Sequence, residues 1–178
     1  FRRSRGLGDV YKRQIKLHFM KFLKISYLLF FCLALEAVIV DTGHANVSLV
    51  KFESLEGDRS KTLLGIKMDM QENWHTYWKN PGDSGGPIKV KWSHDNNISI
   101  SKIYWPTPTL IPYEPLMTYG YKNFVIFPFE ITNSNNKNSY IEANIDFLIC
   151  DDICVPEKAL IKTNLDEIKI DPSLNDWF

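Results

Sequence analysis

Short stretches of β-branched and aromatic residues alternate with polar, glycine-rich or proline-rich stretches along the chain beyond residue 45. No segment keeps a 3.6-residue hydrophobic period over three turns, which argues against long helices. The intervening segments 80–87, 94–97 and 133–138 consist of turn-forming residues. The pattern predicts an all-β domain, a sandwich or a barrel. The predicted strands are 47–52, 61–70, 88–92, 98–105, 123–131, 140–149 and 159–163.

One segment departs from simple strand and turn alternation. Residues 106–115 contain four prolines, which have no amide hydrogen to donate to a neighbouring strand. We therefore expect this segment to run as an extended loop over the surface. Its apolar residues, and those just after it, are expected to cover another part of the domain: Leu110, Ile111, Tyr113, Leu116 and Met117.

The first 45 residues do not have the pattern of a folded domain. Residues 1–14 have no apolar period and precede the first methionine, Met20, so we interpret residues 1–19 as an adaptor or assembly scar. From Met20, two lysines precede the apolar run 25–40, and small residues follow at the positions that a signal peptidase requires. This order predicts a signal peptide over residues 20–45, cleaved after Ala45, and a domain over residues 46–178.

A membrane anchor is the alternative reading of the apolar run, because the run is close to membrane-spanning length. Glu36 interrupts it, and a small-residue cleavage site follows. Both features favour cleavage, and the domain is then exported.

Composition excludes several classes of protein. The chain has 178 residues, of which 44% are hydrophobic, and its formal net charge is zero. These values exclude a disordered chain and a small disulfide-rich scaffold. Residues 46–178 contain 13 basic and 18 acidic residues, a net charge of −5. An acidic domain is a poor match for phosphate backbones, so we expect no nucleic-acid partner.

Two cysteines remain after the leader, which contains Cys32, is removed. They are Cys150 and Cys154, and an oxidising compartment favours a disulfide between them. In a straight strand their Cα atoms would be about 13 Å apart, whereas a disulfide tolerates at most about 7 Å. We therefore expect residues 150–154 to bend into a turn at the end of strand 140–149.

The chemistry of this cysteine pair has three readings. In the first reading the disulfide is a structural bridge in a non-catalytic exported sandwich that binds a protein partner. Closing so short a loop adds only about 2 kcal/mol of stability in the chain-entropy model, which favours the second reading, a redox-active pair. The third reading is a Cu(I) carrier with the two thiolates as ligands. The spacing and the following proline are similar to copper chaperones of the Sco type, but no histidine follows Cys154. Zinc and blue-copper patterns are also missing from the sequence, so we expect no metal and no cofactor.

Four separated motifs resemble one known family. They are Asn-Trp-His-Thr-Tyr-Trp-Lys-Asn-Pro-Gly-Asp-Ser-Gly at 73–85, Tyr-Trp-Pro-Thr-Pro at 104–108, Tyr-Gly-Tyr at 119–121 and Leu-Ile-Cys-Asp-Asp-Ile-Cys-Val-Pro-Glu at 148–157. In this order they resemble the N-terminal periplasmic domain of the DsbD/ScsB thiol:disulfide interchange proteins, over roughly residues 46–165. The resemblance implies an immunoglobulin-like β-sandwich located in the periplasm.

The resemblance also implies partners and roles. A domain of this kind takes electrons from a membrane-embedded donor domain and passes them to periplasmic thioredoxin-like or disulfide isomerase proteins, or to cytochrome c maturation factors. Carried over, Cys154 is the nucleophile and Cys150 the resolving thiol. The family's cap over the cysteines corresponds to the proline-rich stretch, with Tyr113 as the first candidate for the capping residue and Met117 as the second. Together with Leu116 they are expected to shield the sulfurs until a partner displaces them.

The chain departs from the family pattern in two respects. Three residues separate the cysteines, as in the ScsB-like branch, which leaves the partner set open. The sequence also stops at Phe178 without the transmembrane and thioredoxin-like domains of full-length members. It is therefore either a fragment or a free-standing periplasmic form.

Neighbouring residues are expected to tune the pair. Asp151 and Asp152 lie between the cysteines, and their negative charge disfavours a thiolate, which predicts raised thiol pKa values. Trp74, Tyr77 and Trp78 are expected to pack in the core or under the cap, and residues 80–83 to form a turn. The pattern assigns no catalytic role to the histidine at position 75.

Overall fold

The computed structural model describes residues 38–53, 61–134 and 138–171, with the side chain of Tyr113 excepted. These ranges form eleven strands, and they contain no helix that could cross a membrane. The strands are β1 (Ile39–Asp41), β2 (Ala45–Lys51), β3 (Lys61–Met70), β4 (His75–Gly82), β5 (Lys89–His94), β6 (Ile98–Ile100), β7 (Thr109–Tyr113), β8 (Leu116–Lys122), β9 (Phe124–Asn133), β10 (Tyr140–Cys150) and β11 (Cys154–Asn164).

The strands form two antiparallel sheets. One has the order β1-β2-β3-β9-β6. The other has the order β11-β10-β4-β8-β7, and β5 pairs with β10 beside β4. The prediction of an all-β sandwich is confirmed.

The core lies between the two sheets and follows the alternation expected of strands with one buried face. Ile66 and Phe127 of the first sheet are fully buried, as are Ile145, Ile149 and Ile161 of the second. Burying side chains of this size contributes about 1.5–3 kcal/mol each. Packing of its inner face therefore stabilises the second sheet, and side chains on its outer face are not needed for the core.

Several predicted strands match closely and others were too long or too short. The structure has the strand predicted at 61–70 with those bounds, and extends the one at 140–149 by a single residue. The strand predicted at 159–163 begins earlier, at Cys154, because β11 pairs with β10 along its whole length. The strand predicted at 98–105 is only three residues long, since β6 pairs with β9 through residues 98–100 alone.

The prediction of a surface loop over the proline-rich segment was wrong for its second half. Residues 109–113 form β7, which pairs with β8 and is the last strand of its sheet. An edge strand tolerates Pro112 because only one of its sides must donate hydrogen bonds. The apolar residues Leu116 and Met117, expected to continue a loop, instead begin β8.

Strand β4 was not predicted, because Asn80, Pro81 and Gly82 indicate a turn. The structure includes all three in β4, and the predicted turn at 80–83 was therefore misplaced. The register with β8 shifts between Tyr77 and Gly82, which accommodates the proline. Trp74 and Trp78 pack against the core as expected, whereas Tyr77, only 1% exposed, is buried outside that core cluster.

The folded domain extends further toward the N terminus than predicted. β1 pairs with β2 through Ile39, Val40 and Asp41, which all lie inside the predicted leader. Ala45, the residue before the predicted cleavage site, is buried and begins β2. Residues 1–37 lie outside the described residues, so the scar and most of the predicted signal peptide stay predictions.

The segment between β1 and β2 also contacts the second sheet. Glu157 of β11 is only 8% exposed, and its carboxylate accepts hydrogen bonds from the Thr42 hydroxyl and the His44 ring. The His44 ring stacks on Trp74 with centroids 3.9 Å apart. These contacts join the two sheets at the end of the sandwich where β10 meets β11.

Candidate functional site: a disulfide on the outer face

The two cysteines lie at the hairpin between β10 and β11. Cys150 is the last residue of β10 and Cys154 the first residue of β11, directly opposite each other in the register. Their Cα atoms are 4.1 Å apart, and a disulfide of 2.07 Å joins their sulfurs. The predicted bend after strand 140–149 is confirmed.

The disulfide is on the outer face of the second sheet. Phe147 and Ile149 point into the inter-sheet core, so strand alternation directs Leu148 and Cys150 to the opposite face. A group on this face can be reached by another protein without opening the core.

The two sulfur-bearing residues differ strongly in exposure. Cys150 is 1% exposed, whereas Cys154 is exposed to solvent. A visiting thiolate or disulfide can therefore reach Cys154, while Cys150 is shielded. This asymmetry matches the division of roles implied by the resemblance, in which Cys154 meets the partner and Cys150 resolves.

Tyr77, which the sequence predicted only to pack in the core or under the cap, contacts both sulfurs. The hydroxyl of Tyr77 donates a hydrogen bond to Sγ of Cys150 at 2.8 Å and lies 3.3 Å from Sγ of Cys154. Burial raises the pKa of Tyr77, and a hydrogen bond with Ser84 opposes that rise. Tyr77 therefore keeps its proton at neutral pH and can donate to a sulfur that gains negative charge.

His75 lies beside the disulfide. Its backbone is opposite Cys150, and its ring meets the Tyr77 ring edge-on with centroids 5.4 Å apart. Burial lowers the pKa of His75, the charge of Lys122 lowers it further, and Asp151 acts in the opposite direction. The lowered pKa favours the neutral imidazole at pH 7.

The predicted cap residues lie at or beside the turn between β7 and β8. Lys122 of β8 is the register partner of His75, and Met117 lies five positions earlier on the same strand, about 17 Å along it. Leu116 is half-buried, Met117 is 50% exposed, and Tyr113 ends β7. Capping by Tyr113, Leu116 and Met117 stays a prediction.

The two aspartates occupy the connecting loop. Asp151 and Asp152 are both exposed, and the amide of Asp151 donates a hydrogen bond to the carbonyl of Ile153 at 3.1 Å. Solvent weakens the effect of such exposed charges on a neighbouring thiol. Their influence on the thiol pKa values stays a prediction.

The described residues hold no cluster of possible metal ligands. Within residues 38–53, 61–134 and 138–171, no group of three or more histidine, cysteine or acidic side chains is close enough to hold one. The Cu(I) reading would therefore depend on the two thiolates alone.

Comparison with known families shows which family the chain belongs to, and this bears on the three interpretations of the cysteine pair. The family described as "Thiol:disulfide interchange protein DsbD, N-terminal" matches residues 46–165, which is most of the chain. This chain belongs to that family. The resemblance inferred from the four sequence motifs is thereby confirmed, and the Cys150–Cys154 pair supports assignment as a thiol:disulfide interchange module of the DsbD type.

Solved structures agree with this fold. The N-terminal periplasmic domain of ScsB from Proteus mirabilis is similar, with 23% identity and a TM-score of 0.55. The match covers 79% of this chain and 55% of that one, so the chain spans about half the length of the ScsB structure. The GAE domain of GGA2p from Saccharomyces cerevisiae matches at 8% identity and a TM-score of 0.41, over 72% of this chain and 97% of that one. No curated protein matches the chain.

These findings support the fold that the resemblance implied, an immunoglobulin-like β-sandwich. Sequence reasoning found both cysteines of the DsbD-type site but missed Tyr77 as a partner of the sulfurs. The only available signal was that Tyr77 lies in one of the four motifs, which did not show what the ring contacts.

Proposed function

We propose that this domain is a periplasmic thiol:disulfide interchange module that relays electrons through the Cys150–Cys154 pair. Its expected partners are a membrane-embedded donor domain on one side and periplasmic thioredoxin-like or disulfide isomerase proteins on the other. The observation that carries the proposal is the combination of an exposed Cys154, a buried Cys150 and a tyrosine hydroxyl between them. In this role the domain is one part of a protein-disulfide reductase.

Reduction of the domain begins at the exposed sulfur. A thiolate of the donor attacks Sγ of Cys154, the bond to Sγ of Cys150 breaks, and Cys150 leaves as a thiolate. The donor's second thiol then attacks the mixed disulfide and releases Cys154. The donor ends as a disulfide and the domain as a dithiol, so two electrons and two protons have moved to the domain.

Oxidation of the domain reverses these events with another partner. The Cys154 thiolate attacks the acceptor's disulfide, and Cys150 then attacks Sγ of Cys154 and frees the acceptor as a dithiol. In both directions Cys150 carries charge in a buried position, where an uncompensated charge is costly. The Tyr77 hydroxyl supplies the compensating hydrogen bond, at 2.8 Å.

The asymmetry of the two cysteines gives a direct test. In Cys150→Ser the nucleophile is kept and the resolving thiol is lost, so the variant should trap an oxidised thioredoxin-fold isomerase as a 1:1 mixed disulfide. The matched variant Cys154→Ser keeps only the buried thiol and should trap little. Equal trapping by both variants, or none by either, would contradict the proposal.

A further inference from the structure

The loop that joins β4 to β5, residues 83–88, packs directly on Tyr77. Gly85 has a φ of +80°, which residues with a side chain rarely adopt. A Cβ atom at this position would lie 2.1 Å from Cε1 and Cζ of the Tyr77 ring. The loop backbone therefore contacts the end of the ring that bears the hydroxyl, and a side chain at position 85 would displace it.

The start of the same loop is fixed to the hairpin of β7 and β8. The Asp83 amide donates to the Met117 carbonyl at 3.0 Å, and the Met117 amide donates to the Asp83 carboxylate at 2.8 Å. The Ser84 and Thr118 hydroxyls are 2.7 Å apart. These bonds hold the loop down on the ring and connect the hairpin, including Met117, to the sulfurs through Tyr77.

We propose that Gly85 is a positioning residue for disulfide exchange, whose backbone holds the Tyr77 hydroxyl on the two sulfurs. The inference rests on the proposed function of the Cys150–Cys154 pair. Hydrogen bonds weaken steeply once the donor and acceptor separate or tilt, so a ring displaced by about 1 Å no longer supports a departing thiolate. The nearest atoms to a Cβ at position 85 all belong to the Tyr77 ring, so Gly85 acts through the position of the tyrosine.

The test compares two neighbouring glycines. Gly85→Ala is expected to lower the rate constant for reduction of the disulfide by dithiothreitol about tenfold, the loss expected for one hydrogen bond to a developing charge. Gly86→Ala is the matched control, because a Cβ atom there would lie 3.8 Å from Cδ1 of Leu148, an ordinary contact. Its rate should stay within twofold of the unmodified chain.

A double-mutant cycle separates positioning from general damage to the fold. In the Tyr77→Phe background there is no hydroxyl to misplace, so Gly85→Ala should add almost nothing to the loss of rate. The exchange equilibrium constant against glutathione is the second readout. The decrease in this constant caused by Gly85→Ala should become larger as pH rises. At higher pH the reduced form carries a thiolate, which the Tyr77 hydrogen bond stabilises. Additive effects, or an unchanged rate in folded Gly85→Ala, would overturn the proposal.

If Gly85→Ala does not fold, the double variant Asp83→Ala and Ser84→Ala keeps the inference open to test, since it removes both side-chain bonds that hold the loop and places no atoms against the ring. Its rate should also fall, and an unchanged rate would count against the proposal. These measurements need no protein partner. A chain that shows the glycine effect but exchanges with no thioredoxin-like protein would therefore refute the proposed function and leave this inference standing.

Discussion

The Tyr77 hydroxyl donates a hydrogen bond to Sγ of Cys150 across 73 positions of sequence, at 2.8 Å. The contact exists because β4 and β10 are neighbours only at the end of β10, where His75 is opposite Cys150. Tyr77, two positions further along β4, is on the same face of the sheet as His75 and reaches both sulfurs. One side chain is thus placed to affect both the attacked sulfur and the leaving sulfur.

Replacing Tyr77 by phenylalanine should slow disulfide exchange clearly while lowering the stability of the fold only modestly. Tyr77→Phe keeps the ring and removes the hydroxyl, so the rate constant for reduction by dithiothreitol should fall about tenfold. The expected loss of stability is about 1 kcal/mol, measured by urea unfolding of the oxidised chain. A variant that is reduced as fast as the unmodified chain would show that the hydroxyl has no part in exchange.

The two thiols of the reduced domain should react at very different rates. Cys154 is exposed and Cys150 is buried, so iodoacetamide should label Cys154 at least about tenfold faster. Peptide mass spectrometry after short labelling times measures both rates in one sample. Faster labelling of Cys150 would mean that the division of roles is reversed.

His75 should make stability depend on pH below neutrality. Its folded pKa is lowered by burial and by Lys122 against the opposing charge of Asp151, so the unfolded chain binds the proton more readily. The stability present above pH 6.5 should therefore decrease as pH falls through 6.5, and level off below the folded pKa.

Urea unfolding at a series of pH values checks this dependence. His75→Gln cannot take up the proton, so its stability should change less over that window. An unchanged slope in the variant would assign the pH dependence to other groups.

On the proposed export of this chain, the mature N terminus should lie ahead of Val38 and not at Asn46. Cleavage after Ala45 would remove β1 and leave the Glu157 carboxylate, 8% exposed, without Thr42 and His44. A buried charge without partners is strongly destabilising. Intact mass measurement of the mature protein decides the matter, and an N-terminal Asn46 would show that these contacts are dispensable.

The sequence predicted the strands whose signals are local. Residues 61–70 contain no proline, and Ile66, Met68 and Met70 alternate with polar residues; they form β3 with the predicted bounds. β4 and β7 were missed because they contain proline or glycine. Whether a strand tolerates these residues depends on its position in the sheet. Pro81 lies where the register shifts, and Pro112 lies on an edge strand.

The part of the site that has a local sequence signal was also predictable. Two cysteines four positions apart in an exported chain indicate a local disulfide, which the structure has. The contact of Tyr77 with that disulfide depends on which strands become neighbours, and no local pattern encodes it. The contact of Gly85 with the Tyr77 ring depends equally on the tertiary fold.

The central claim is that the Cys150–Cys154 bond is opened and closed in function. The most direct measurement is a redox titration of the oxidised chain in glutathione buffers, with free thiols counted by mass tagging. A pair that exchanges electrons with thioredoxin-like proteins should have a reduction potential between about −180 and −270 mV. A potential below about −300 mV would mark a structural bridge and contradict the account.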